Sequence, residues 1–295
     1  MIQDIFPSRL VNRFEACKMV PSDALVITDG DGKLLVNTDG GEVHFPEGAA
    51  AAELIDSAVY LFSLDERRYF LAAEDVCGNG SVPADGCGEN DSASVAAGLQ
   101  KDGYAFRTLR ELRDLCIGKE VYAAFTAFHL WRWYRDNRFC GRCGGALAHS
   151  ATERALVCPA CGNTIYPRIN PAVIVGVTKG DSILLTKYRR GFGHNALVAG
   201  FTEIGETLEE TVAREVMEET GVRVRNIRYY KSQPWGMAQD VLVGFYCDAD
   251  GDGEIHMDEN ELKYTEWVRR EDIILQPNNL SLTNEMMRMF KEGKQ

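Results

Sequence analysis

The segment GFTEIGETLEETVAREVMEETGV (200–222) constrains this chain more than any other stretch. Thr207, followed three residues later by Glu210, has the form of a capping box, so a helix is expected to begin there. Gly221 is placed to end that helix as a left-handed residue. Between them Glu215, Glu218 and Glu219 fall at i, i+3 and i+4 and so share one helix face. Like charges that close repel by about 0.2–0.5 kcal/mol per exposed pair, and by more once desolvated. A divalent cation removes that cost, and hard carboxylate oxygens suit Mg²⁺ or Mn²⁺. A solvated acidic helix face is the bland alternative, and the glutamates alone leave the two evenly weighed.

The surroundings of that segment read as a sheet. AVIVGV (172–177), SILLTK (182–187) and ALVAGF (196–201) precede it as strand runs, with a turn at Gly180-Asp181, and VLVGFY (241–246) follows. A closing helix is expected near Thr283–Lys291. Strands mixed with two helices predict a layered α/β domain from about residue 169.

A second pattern lies just upstream. Cys140 and Cys143 form one CxxC pair and Cys158 and Cys161 another, with 14 residues between the pairs. Two such knuckles complete a tetrahedron of thiolates around Zn²⁺, and Gly144 and Gly162 suit the sharp turn of each. A redox dithiol would need one pair only. Four protein ligands leave no open position, so the predicted zinc is structural. The remaining cysteines, Cys17, Cys77, Cys87, Cys116 and Cys247, have no metal-ligand spacing and read as reduced thiols. An odd total of nine argues against a secreted disulfide framework.

The net charge of −12 argues against loose binding to nucleic acid, DNA included, because that needs a basic face. It leaves room for a phosphorylated substrate held through cations. No apolar run approaches the roughly 20 residues needed to cross a bilayer. The first residues lack a signal-peptide layout, so no membrane association and a cytoplasmic location are expected.

The first hundred residues read as β-rich. Residues 24–37 suggest two short strands around an Asp-Gly turn, and 59–74 a hairpin. Residues 78–98, rich in Gly, Ser, Asp and Asn, suggest a loop. From Glu120 to Asn137 the residues Val121, Ala124, Phe125, Phe128 and Trp131 recur at helical spacing, as expected of core packing. His129 on that helix reads as packed or exposed rather than catalytic.

Two further patterns are decoys. Residues 248–259 satisfy the spacing of an EF-hand loop, but the preceding VLVGFY alternates like a strand, so a polar hairpin turn is expected. Gly191 to Ala196 echoes a dinucleotide fingerprint but leads into a strand rather than a helix, which rejects a Rossmann site.

The string 200–222 resembles the Nudix signature, GX5EX7REUXEEXGU with U aliphatic, at every fixed position. The zinc pattern before it and Ser232-Gln233-Pro234-Trp235 after it together resemble the NADH pyrophosphatase (NudC-type) family, over about residues 105–295. The resemblance implies a Nudix α/β/α sandwich with a mixed sheet, preceded by a four-cysteine zinc ribbon and a β-rich N-terminal Nudix-like domain. The corresponding bounds are 1–105 for the N-terminal domain, 106–137 for a helical connection, 138–168 for the ribbon and 169–295 for the catalytic domain. It also implies metal-dependent cleavage of the NAD(H) pyrophosphate to AMP and nicotinamide mononucleotide, and a homodimer. Other Nudix substrates, such as ADP-ribose or NAD-capped RNA, are the alternatives. A non-catalytic nucleotide-sensing adaptor is the reading from a different class.

By the same resemblance the catalytic Mg²⁺ or Mn²⁺ is held by Glu215, Glu219, Glu261 and the carbonyl of Ala199. Glu218 completes the acidic cluster, Arg214 orients it and Glu206 supports the loop. Substrate contacts are expected from Phe201, Tyr166, Glu153, Arg107, Thr283 and the run Gln233, Pro234, Trp235, Gly236, Met237, Ala238, Gln239 and Asp240. One departure stands out. The family's usual SQPWPFP is SQPWGMA here, which removes an aromatic ring whose stacking on a base is worth roughly 1–3 kcal/mol. Glycine also loosens a loop that prolines would stiffen.

Overall fold

The computed structural model of the chain describes residues 1–72, 91–189, 193–260 and 262–295. These form two compact units, one of Asp4–Arg168 and one of Met1–Gln3 with Ile169–Gln295. No helix among the described residues is long and apolar enough to cross a membrane.

In the first unit β1 (Leu10–Val11), β4 (Val59–Leu64), β5 (Arg67–Leu71) and β2 (Ala24–Val26) form a four-stranded sheet in that order. β4 and β5 are the expected hairpin, turned at Asp65, whose φ of 54° is left-handed. Of the two expected strands in 24–37, β2 joins this sheet, while β3 (Leu34–Val36) pairs with β6 (Ala105–Arg107). The turn between them is held by Asp29, whose carboxylate accepts from the Asp31 and Lys33 amides.

The loop expected at 78–98 needs correction over its last eight residues, since α1 spans Asp91–Lys101. Val95, Ala96 and Leu99 seat that helix in a core with Leu25, Leu35 and Phe70. Small polar residues dilute this apolar pattern in the sequence, and burial outweighs their weak helix propensity. Residues 78–90 of the expected loop lie outside the described residues.

α2 (Leu109–Leu115) starts at a capping box of Thr108 and Glu111. It is followed by α3 (Lys119–Asp136), where Val121, Ala124, Phe125 and Trp131 are buried as the spacing predicts. His129 Nε2 lies 2.8 Å from the Arg168 carbonyl oxygen, and burial lowers its pKa. β7 (Ala148–His149), β8 (Leu156–Val157) and β9 (Thr164–Ile165) make a small antiparallel sheet beside the cysteines.

The second unit is a mixed sheet with one helix on each face. Its strands are β10 (Asn170–Lys179), β11 (Ser182–Tyr188), β12 (Val198–Phe201), β13 (Arg223–Trp235), β14 (Asp240–Asp250) and β15 (Leu262–Arg269). The order is β13-β14-β10-β11-β15, with β12 also paired to β10. β10 runs parallel to β14 and antiparallel to β11 and β12.

Side-chain alternation along β10 sorts the two faces. Val173, Val175 and Val177 pack with Val212 and Val216 of α4 (Leu208–Thr220). Ala172 and Ile174 pack with Leu282, Met286 and Phe290 of α5 (Leu282–Lys291). The acidic connection after β14, described over 251–260, proves not to be a hairpin. It leaves β14 and enters β15, which pairs with β11 at the far edge of the sheet.

Candidate active site

Local sequence places the acidic helix as expected. The Thr207 side chain accepts from the Glu210 amide at 3.2 Å and the Glu210 carboxylate accepts from the Thr207 amide at 2.7 Å. Gly221 closes the helix with φ 71°. A β-carbon there would lie 2.7 Å from the His256 β-carbon, so glycine also permits a close packing contact. The His256 and Asp258 amides donate to the Thr220 and Glu219 carbonyls at 2.8 and 3.0 Å. Helix ends leave such carbonyls without intrahelical partners, so the acidic connection serves as a cap on α4.

Arg214 organises the acidic side chains. Its Nε and Nη2 donate to the two oxygens of Glu206 at 2.6 and 2.9 Å, a bidentate pair. Nη1 donates to Glu215 at 2.7 Å and to Glu218 at 3.0 Å, and Nη2 also reaches the Phe201 carbonyl at 2.9 Å. The guanidinium beside Glu206, helped by the Glu203 amide and the Thr211 hydroxyl, brings the Glu206 carboxyl down to about 2. The same pairing raises the Arg214 pKa.

The three glutamates of the helix differ in exposure. Glu218 is mostly solvated and Glu215 largely covered. Glu219 is only 3% exposed. Among the described residues the four cysteines are the group that brings three or more acidic, thiol or imidazole ligand atoms within 4.8 Å of one another. The helical glutamates are instead spread around Arg214 and the buried edge of α4.

Glu215 is seated on β12. A β-carbon built on Gly200 would fall 1.9 Å from the Glu215 carboxyl carbon. Ala199, the residue before it, is half-buried and registers with Ile174 of β10. Glu261 lies outside the described residues.

The expected substrate residues divide between the units. In the first, the Tyr166 hydroxyl donates to Glu153 at 3.2 Å and both residues are exposed. Arg107, at the end of β6, is paired with Glu111 at 3.5 Å. In the second, Phe201 is about half exposed. Gln233 to Trp235 lie at the end of β13, a strand not anticipated from the sequence.

Gly236 to Gln239 form the turn into β14, and Gln239 takes φ 61°. The Asn170 amide donates to the Gln239 carbonyl at 2.8 Å, and the Asn170 side chain donates to Ala238. Gln239 and Asp240 are buried, Met237 half-buried and Ala238 exposed. Trp235 packs partly against the core under α5, where Thr283 occupies the first turn. Gln233 is wholly buried, so its side chain belongs to the packing of the sheet rather than to an exposed surface.

The cysteine cluster is built as two knuckles. Gly144 and Gly162 have φ of 75° and 71°, and their amides donate to the Cys140 and Cys158 carbonyls. The Sγ pairs Cys140–Cys161 and Cys143–Cys158 are 3.7 and 3.5 Å apart. Thiolates bound at about 2.3 Å on a tetrahedron stand about 3.8 Å apart, so the spacing suits zinc. Amides of Arg142 and Cys143 bring the Cys140 thiol down to about 6, while the neighbouring thiols of Cys161 and Cys158 push Cys143 up to about 12.

An arginine-clamped acidic helix ended by glycine, carried beneath one strand of a mixed sheet with a second helix behind, defines a Nudix domain. The NUDIX domain family matches residues 168–290, and the NADH pyrophosphatase zinc ribbon domain matches 135–166. The NAD-capped RNA hydrolase NudC of Enterobacter sp. (strain 638) is 43% identical over 171 residues, 58% of this chain and 66% of that protein. That span is just under two thirds of the relative's length. The protein of the same name from Klebsiella pneumoniae is 40% identical over 191 residues, 64% of this chain and 74% of the relative. A crystal structure of a NUDIX hydrolase from Nitrosomonas europaea aligns with 25% identity and a TM-score of 0.46, over 52% of this chain and 91% of that one. The chain belongs to the Nudix hydrolases, in the NADH pyrophosphatase group that carries a zinc ribbon.

Proposed function

We propose that this chain hydrolyses the pyrophosphate bridge of NAD(H), giving AMP and nicotinamide mononucleotide, with Mg²⁺ or Mn²⁺ at the acidic helix and Zn²⁺ in the ribbon. The observation that carries the reading is the Arg214 clamp, which orients Glu215 against Gly200 in a chain that also holds the ribbon.

The donor set fits a hard divalent cation. Glu215 and Glu219 offer carboxylate oxygens, Glu219 from a buried position on α4, and hard oxygen donors of this kind suit Mg²⁺ or Mn²⁺. Those two residues, with the Ala199 carbonyl and Glu261, would hold the metal, which supplies charge neutralisation on the phosphates and acidifies a water. Glu206, with its carboxyl held near 2, is a poor proton acceptor and acts as a strut for Arg214. The proton of the attacking water therefore goes to a carboxylate of the cluster other than Glu206. Phe201, exposed beside the clamp, offers a face for stacking a base.

NAD-capped RNA is the second reading, supported by the activity named for the NudC relatives. The net charge of −12 weighs against a long RNA track and favours the dinucleotide. A substrate panel decides between them: NADH, NAD⁺, ADP-ribose and NAD-capped RNA, each with Mg²⁺ and Mn²⁺ and read by release of AMP or of the decapped end. NADH or NAD⁺ should be cleaved fastest. Absence of metal-dependent cleavage from all four would move the adaptor reading ahead.

A further inference from the structure

We infer that residues Met1–Gln3 form a positioning strap for the SQPW segment, with Gln3 acting on substrate recognition through Gln233. The inference rests on the dinucleotide reading above. The three residues belong to the catalytic unit although more than 200 positions separate them from the strand they touch.

The Gln3 side-chain amide donates to the Ser232 carbonyl at 3.1 Å, and its oxygen accepts from Gln233 Nε2 at 3.0 Å. The Ile2 amide donates to the Leu280 carbonyl at 2.9 Å, and Ile2 is buried. Gln233 is the hub. Its Nε2 also donates to the Leu280 carbonyl at 2.8 Å, and its oxygen accepts from the Leu282 amide at 2.7 Å.

Leu282 is the first residue of α5, so that amide is one a helix leaves unsatisfied. A buried primary amide with both hydrogens and its oxygen engaged has one orientation available. Gln3 fixes that orientation from one side, and the α5 start from the other. The elements fixed together are the strand carrying Pro234 and Trp235 and the helix turn carrying Thr283. The turn that follows, Gly236 to Ala238, begins with a glycine and holds no proline, so stiffness supplied from outside the turn bears more weight here. Gln3 touches no reacting atom and is a positioning residue.

The test is Gln3→Ala in the full chain, with Gln3→Glu as the conservative partner. Glutamate keeps the acceptor for Gln233 and loses the donor to Ser232. Steady-state kinetics with NADH and Mg²⁺ should show KM raised about 3- to 10-fold for the alanine variant, with kcat within about twofold and the glutamate variant between. Hydrogen exchange, which needs no turnover, should show the Leu282 amide exchanging several-fold faster while amides of β10 are unchanged. Unaltered exchange at Leu282 overturns the strap. Faster exchange at Leu282 with unchanged KM overturns its role in recognition. Wild-type chain that leaves NADH intact counts against the dinucleotide reading, and the exchange result still decides the strap.

Discussion

Glu215 lies against the bare α-carbon of Gly200, and a β-carbon at that position would sit 1.9 Å from its carboxyl carbon. The relationship joins the end of β12 to the middle of α4 and explains in steric terms why a glycine opens this segment. The φ of Gly200 is not left-handed, so space rather than backbone conformation is what it supplies.

Gly200→Ala is therefore expected to push the Glu215 carboxylate off its seat while leaving the sheet intact. The expected loss in kcat/KM is on the order of 100-fold or more, of the size caused by small misplacements of catalytic groups. Circular dichroism should stay at the wild-type value. Activity within a few-fold of wild type would show that the contact is dispensable.

Arg214→Lys separates charge from geometry. The guanidinium reaches Glu206, Glu215, Glu218 and the Phe201 carbonyl through three nitrogens, and a single ammonium cannot reproduce that fork. A fall in kcat of roughly 10- to 100-fold is expected, with a smaller change in KM. Retention of wild-type kcat in stopped assays with NADH would remove the clamp from the mechanism.

Glu219→Gln keeps size and burial but removes the charge of the most buried carboxylate on α4. Activity should drop by about two orders of magnitude or more at saturating Mg²⁺. Near-normal turnover would refute the metal-holding role.

The Glu206–Arg214 pair makes a signed prediction in pH. The Glu206 carboxyl is held at about 2 against an ordinary value of 4.5, so the folded state resists protonating it. Its stabilising contribution is then complete above the ordinary value and is lost as pH falls from 4.5 towards 2. Glu206→Gln should be less stable than wild type by a constant margin from about pH 5 upward, and that margin should shrink below it. Melts of both proteins across that range check this, and a margin independent of pH would contradict it.

Removing zinc tests the ribbon. Four thiols converge there, with no disulfide joining them. Prolonged chelation or Cys158→Ser should lower the melting temperature and expose the thiols to a thiol reagent, because metal binding and folding of such knuckles are one process. Mass spectrometry under native conditions should find one zinc lost per chain. Unchanged melting after verified zinc loss would argue against a structural role.

Patterns confined to a few turns of chain were legible in the sequence. The capping box at Thr207 and Glu210, the glycine that ends α4, the two knuckles and the strand runs around them all declare themselves within about ten residues. Local hydrogen bonding and side-chain periodicity produce them, and both are written in the order of residues. The helix α1 escaped because its small polar residues resemble a loop until Val95, Ala96 and Leu99 find their core. β13 escaped because its burial is irregular, with basic residues scattered among aliphatic and aromatic ones at an edge of the sheet.

The order of residues alone established that this chain holds a Nudix helix and a four-thiol ribbon, since each is a short-range motif whose spacing carries its chemistry. It took the folded chain to show that Glu219 is buried while Glu218 is solvated, that Glu215 rests on Gly200, and that Gln3 reaches Gln233. Those facts depend on which surfaces meet when the sheet closes, and contacts between residues far apart in the chain leave no periodic trace in the order of amino acids.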